Sequence, residues 1–163
     1  MIKITPFKDL YPGDPLGRPA MRARLLASAG SDYYNLCKYL HGNGPISSSR
    51  FSILIPAMQQ AIELLVKSVA FKAVPAFNPR THSHKTLAII DSHSAVVPLF
   101  GILARSDVDR ALVTQLTAGY AAVRYGEAHV AFDRSTWEAF SKLAEQLLAE
   151  ASLDTNERQS RTV

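Results

Sequence analysis

Gln59-Gln60-Ala61-Ile62-Glu63-Leu64-Leu65-Val66-Lys67 and Leu116-Thr117-Ala118-Gly119-Tyr120-Ala121-Ala122-Val123-Arg124-Tyr125-Gly126 are the two stretches whose reading decides the fold. Each reads as helix, because apolar residues return every three or four positions. Met58, Ile62, Leu65 and Val69 do so around the first stretch; Leu112, Leu116, Tyr120 and Val123 do so around the second. A charge sits beside each apolar stripe, Glu63 in one and Arg124 in the other. An unpaired charge is too costly to bury, so the simplest physical reading is an ion pair between Glu63 and Arg124 where the two helices pack.

Outward from these stretches the chain reads as helices separated by proline and glycine breaks. Residues 1–19, with Pro6, Pro12, Gly13, Pro15, Gly17 and Pro19, predict an extended arm, Pro19 suiting a first helical position. A first helix is expected over Ala20–His41 with Met21, Leu25, Ala29, Tyr33, Leu36, Cys37 and Leu40 inward. Gly42-Asn43-Gly44-Pro45 ends it. A second helix is expected over Ser48–Phe71 with a kink at Pro56, then a loop over residues 73–82. A third spans Ser83–Ala104 with a break at Pro98. The fourth is capped by Ser106 or Asp107 and ends near Tyr125-Gly126. Ser135-Thr136-Trp137-Glu138 has the form of a capping box opening a fifth, which turns Trp137, Phe140, Ala144, Leu147 and Leu148 inward. No alternating pattern of strand length occurs, and the polar segment 153–163 reads as a mobile tail. The expected fold is all-α: an up-and-down bundle of four to five helices over residues 20–152 with an extended N-terminal arm.

Composition sets the bounds. At 163 residues the chain suits one domain with a single core, and 47% hydrophobic with 20% charged residues is ordinary for a globular protein. The apolar runs are short, Ser52 and Pro56 interrupting Phe51–Met58, so no membrane span is expected. The N-terminus lacks the pattern of a signal peptide, and the lone Cys37 cannot form an internal disulfide. A reducing, cytoplasmic compartment is the resulting expectation, with Cys37 acting as a small core hydrophobe. The net charge of +4 is mild. Arg18, Arg22 and Arg24 nevertheless cluster at the start of the first helix, the unfavourable end for cations. That cluster reads either as an anion-facing surface or as a solvated basic face.

The helical stretches, taken in order, resemble the HEPN family, small helical bundles found beside nucleotidyltransferases and in toxin–antitoxin systems. The resemblance runs from about Ala20 to Ala151. It rests on Gln60, Ala61, Glu63 and Lys67 in the second helix and Thr81-His82 ahead of Leu87. Tyr120, Arg124 and Tyr125 complete it, with Gly126 standing where proline is usual. It implies a homodimer or a complex with a nucleotidyltransferase, and a nucleotide or RNA as ligand. The apolar segment Val96–Leu103, with Leu99, Phe100 and Ile102, offers a candidate contact face. No cofactor is implied.

Three constellations carry possible chemistry. Catalytic HEPN ribonucleases carry an arginine followed by four to six residues and a histidine, which Arg124 and His129 match. Imidazole can move a proton near neutral pH, and guanidinium grips phosphate oxygens, so such a pair needs no metal. Tyr125-Gly126-Glu127 looks instead like the non-catalytic family pattern, which makes Arg124 structural and His129 incidental. The second constellation, Thr81-His82-Ser83-His84 with His93, lacks the further ligands a metal site needs; helix capping with His82 packed over the helix start is the simpler reading. The third is Glu63 with Lys67 and Arg124, either a phosphate clamp or a neutral network between helices.

Overall fold

The computed structural model describes residues 17–42, 48–74, 76–82, 84–125 and 133–152. Helices run over Gly17–Gly42 (α1), Ser48–Ala73 (α2), Pro79–His82 (α3), Thr86–His93 (α4), Pro98–Leu103 (α5), Asp107–Tyr125 (α6) and Arg134–Ser152 (α7), with no strand among the described residues. The all-α bundle is therefore the observed fold. The proposed arm before Gly17 and the tail after Ser152 lie outside the described residues.

Helix α2 is the axis of the bundle. Leu54, Ile55, Met58, Ile62, Leu65, Val66, Val69 and Phe71 are all buried, which is more than one face can hold, and α1, α4, α6 and α7 pack around it. The apolar stretch Ile53–Ala73 is long enough, by length and composition alone, to cross a membrane, which the short unbroken runs did not suggest. Most of it is buried inside the bundle, and a helix covered by neighbours on several sides has to be apolar all round. The helix continues unbroken through Pro56.

Helix α1 packs on a different face from the one its large side chains suggest. Ala23, Gly30, Tyr34 and Cys37 are buried, whereas Leu25, Tyr33 and Leu36, expected inward, are exposed together with Tyr39. Size rather than hydropathy selects the face. A Cβ on Gly30 would stand 2.7 Å from Leu65 Cγ, so only glycine lets the two long helices come this close. Ser68 secures the same contact by donating to the carbonyl of Ala23 at 2.7 Å. Burial pushes the Cys37 thiol up to about 12, so it stays a neutral core group.

The ends of the elements correct several expectations. α1 begins at Gly17, which places Pro19 third in the helix, still within the first turn where a missing N–H costs nothing. The anticipated third helix is divided: α3 is a single turn inside the supposed loop, and α4 and α5 are separate. The break falls before Pro98, where Val97 is extended at φ −106° and ψ 107°, as the residue ahead of a proline prefers. Ser106 caps α6, its Oγ accepting the Asp109 N–H at 3.3 Å, and Asp107 and Asp109 favour the positive end of the helix. α7 is capped two residues earlier than expected. Asp133 Oδ1 accepts the Thr136 N–H at 2.8 Å and the hydroxyls of Ser135 and Thr136, while Glu138 pairs with Arg134 at 2.8 Å instead of closing a capping box. These three bonds to the ionised form hold the Asp133 carboxyl down to about 2.

Candidate anion-binding groove

Glu63 is the one buried acid in the described core, at 3% exposure on the middle of α2. Its partners are Lys67, one turn on, whose Nζ donates to Oε1 at 2.5 Å, and His84, whose Nδ1 lies 3.1 Å from Oε1 and 3.0 Å from Oε2. A carboxylate held by a lysine can only accept, so His84 Nδ1 carries the hydrogen. The expected core pair with Arg124 is not formed. Arg124 is exposed in the last turn of α6. Glu63 is neutralised from its own helix and from the turn leading into α4.

Lys67 also faces a groove of about 750 Å³ between α1, α2 and the start of α3. Arg22, Leu25 and Leu26 form one wall, Leu64, Lys67 and Phe71 another, and Phe77, Asn78 and Pro79 the third. The Arg22 guanidinium lies 6.0 Å from the centre of the Phe71 ring, and Phe77 meets Phe71 edge-on at 4.9 Å. Two cations and Asn78 thus line a cleft whose other described walls are apolar or aromatic, of the size that takes a small ligand. Arg22 belongs to the basic cluster at the start of the first helix, and it lines this groove.

The remaining residues singled out in the sequence fall elsewhere. His82 packs against Phe77, with ring centres 6.4 Å apart, and stands edge-on to His93 at 6.1 Å. Burial, reinforced by the neighbouring His82, lowers the pKa of His93. His82 and His84 therefore part company, one into the aromatic cluster and one onto Glu63, and among the described residues no three His, Cys, Asp or Glu gather as metal ligands would. Tyr120 is half-buried on α6. Tyr125 ends α6, its side chain outside the described residues, as His129 is altogether. His84 entered the sequence reading only as a possible metal ligand beside His82; its tie to Glu63 was missed, because the two stand 21 positions apart and neither spacing nor periodicity links them.

The family model of the HEPN domain matches residues 25–154. The chain belongs to the HEPN family. No curated protein and no solved structure matches it. In this HEPN bundle the two halves of the motif separate: Glu63 pairs with Lys67, which lines the groove, while Arg124 stands at the exposed end of α6. Leu99 is half-buried and Phe100 fully buried, so of the expected contact segment Val96–Leu103 only Val96, Pro98 and Ile102 are exposed; Val108 at the start of α6 is exposed as well.

Proposed function

We propose that this HEPN protein is a binding module that holds a phosphate-bearing ligand, a nucleotide or the end of an RNA, in the groove between α1, α2 and α3. The observation that carries the reading is Lys67, anchored by buried Glu63 and facing a cleft that Arg22 also enters. Lysine and arginine are the usual grips on phosphate, and Phe71 and Phe77 offer apolar ring surface for a base. The decisive experiment is titration of the purified chain with a nucleoside monophosphate. Binding that is lost in both Lys67→Met and Arg22→Ala, with helical content retained, supports the reading; binding unaffected by either change refutes it.

A second reading concerns partners and rests on Val96, Ile102 and Val108, each exposed along the segment from the start of α5 to the start of α6. Clustered exposed aliphatic side chains mark contact surfaces. A second copy or a nucleotidyltransferase, in the manner of toxin–antitoxin or nucleotidyltransferase-associated pairs, fits there. Light scattering and co-purification test it, and a strictly monomeric chain that captures nothing counts against it.

A further inference from the structure

Phe77 lines the third wall of the groove from the connection between α2 and α3, where no helical ladder holds it. Its backbone N–H donates to the Val74 carbonyl at 3.0 Å, and three rings fix its side chain. Phe71 meets it edge-on at 4.9 Å, His93 edge-on at 5.6 Å, and His82 lies nearly parallel at 6.4 Å. His93 is the firm end of this cluster: it sits in the last turn of α4, where its carbonyl accepts the N–H groups of Val96 at 3.1 Å and Val97 at 2.9 Å. Its Nε2 is sealed from solvent and has no hydrogen-bond partner. A neutral ring can leave that nitrogen as an unused lone pair. An imidazolium cannot, because both nitrogens then carry hydrogens, and a charged donor without an acceptor is costly to bury.

We propose that Phe77, His82 and His93 form an acid-operated latch on the groove: with His93 neutral the cluster holds Phe77 against Phe71, and a proton on His93 releases it. Water must reach Nε2 to solvate the added N–H, so the rings have to part, and the ring that yields is Phe77, which no helix anchors. Burial first, and the neighbouring His82 second, lower the pKa of His93, in keeping with this. The closed cluster therefore contributes stability above the ordinary histidine value of about 6.5, and that contribution is lost as pH falls below it. Among the described side chains, His82 of α3 is the charge that acts on His93. On α2, Glu63 and Lys67 pair with each other and Lys72 donates to the Ala151 carbonyl; α5 carries no ionisable residue. Arg110 of α6, with Asp107 beside it, pairs with Asp91 of α4. The latch stands on this geometry alone; its consequence, weaker ligand binding in acid, rests on the groove reading above.

The test follows ring signals of the full chain by nuclear magnetic resonance from about pH 7.5 to about pH 5, the range in which histidines titrate. His93 is expected to titrate below its ordinary value, with the rings of Phe77 and Phe71 shifting at the same midpoint while helical content stays constant. His93→Phe, which keeps a ring but takes no proton, should leave Phe77 insensitive to pH. His82→Asn should move the shared midpoint upward without uncoupling the rings, and it keeps the test open if His93→Phe fails to fold. Phe77 signals that stay still while His93 titrates, a His93 midpoint at or above the ordinary value, or a Phe77 transition that persists in His93→Phe overturns the latch. Adenosine monophosphate is then titrated at both ends of the range. Acid should weaken its binding to the wild type more than to His93→Phe, by about tenfold once nine in ten latches are open, and the comparison cancels protonation of the phosphate itself. Equal pH dependence in the two proteins overturns the proposal. Coupled ring signals with no binding at either pH keep the latch and defeat the groove reading.

Discussion

His84 Nδ1 lies 3.0 Å from Glu63 Oε2, so the buried carboxylate at the centre of the bundle is reached from the turn before α4 as well as from Lys67 on its own helix. The two partners contribute unequally. Lys67 is 13% exposed and His84 62%. Replacing Lys67 by Met should cost about 3–5 kcal/mol, because it strips a buried charge of its closest partner. His84→Ala should cost about 1 kcal/mol or less, since water reaches that side and can replace the imidazole. Denaturant unfolding of both variants checks the order; equal losses would mean that Lys67 does not neutralise Glu63.

The contact between α1 and α2 depends on the missing side chain at Gly30. Gly30→Ala should destabilise the bundle by about 1–3 kcal/mol, the usual cost of overpacking, although alanine is the better helix former. The neighbour that must yield is Leu65, itself fully buried, so little relief is at hand. An unfolding midpoint at or above that of the wild type contradicts the packing described.

The Asp133 cap predicts a pH signature. A carboxyl held at about 2 in the folded chain against an ordinary value of about 3.9 contributes stability above the ordinary value. That contribution fades as pH falls through the window between the two values, because the proton then binds the unfolded chain more readily than the cap. Asp133→Ala should therefore lower the melting temperature at neutral pH, with the difference shrinking toward zero near pH 2. A difference that stays constant across the window removes the cap from the account.

The exposed placement of Arg124 changes what its removal should do. Arg124→Ala is expected to alter stability by no more than about 0.5 kcal/mol, the usual range for surface positions, rather than the several kcal/mol that a buried pair with Glu63 implied. His129→Ala should leave nucleotide affinity unchanged. The wild type, incubated with bulk RNA, should cleave none of it. Chelator-resistant cleavage abolished by His129→Ala alone would reinstate the metal-independent ribonuclease.

Much of this architecture is legible in the sequence, and the failures share one cause. The stripe of Met58, Ile62, Leu65 and Val69 and that of Phe140, Ala144 and Leu147 are buried as their spacing indicates, because helical period is a local property. The face of α1 was misread because Leu25, Tyr33 and Leu36 outweigh Ala23 and Gly30 in hydropathy. Close helix approach rewards small residues, and only the neighbouring Leu65 reveals that. At the site, the charge of Glu63 signalled that a partner was needed. Lys67, one turn on, was legible as one partner; the choice between Arg124, favoured by the motif, and His84, the second partner found, was not, because it depends on three-dimensional direction. The cap of α7 shows the same limit at short range: the box pattern pointed to Ser135, whereas the Thr136 N–H donates to Asp133.

The central claim, that the groove beside Glu63 is where this HEPN protein holds its ligand, is tested most directly by amide chemical-shift mapping of the wild type during titration with adenosine monophosphate. The account predicts saturable shifts at Arg22, Leu64, Lys67, Phe71, Phe77 and Asn78, and none beyond noise at Ala121–Arg124. Shifts centred on the end of α6, with the groove silent, would contradict it and return the site to Arg124.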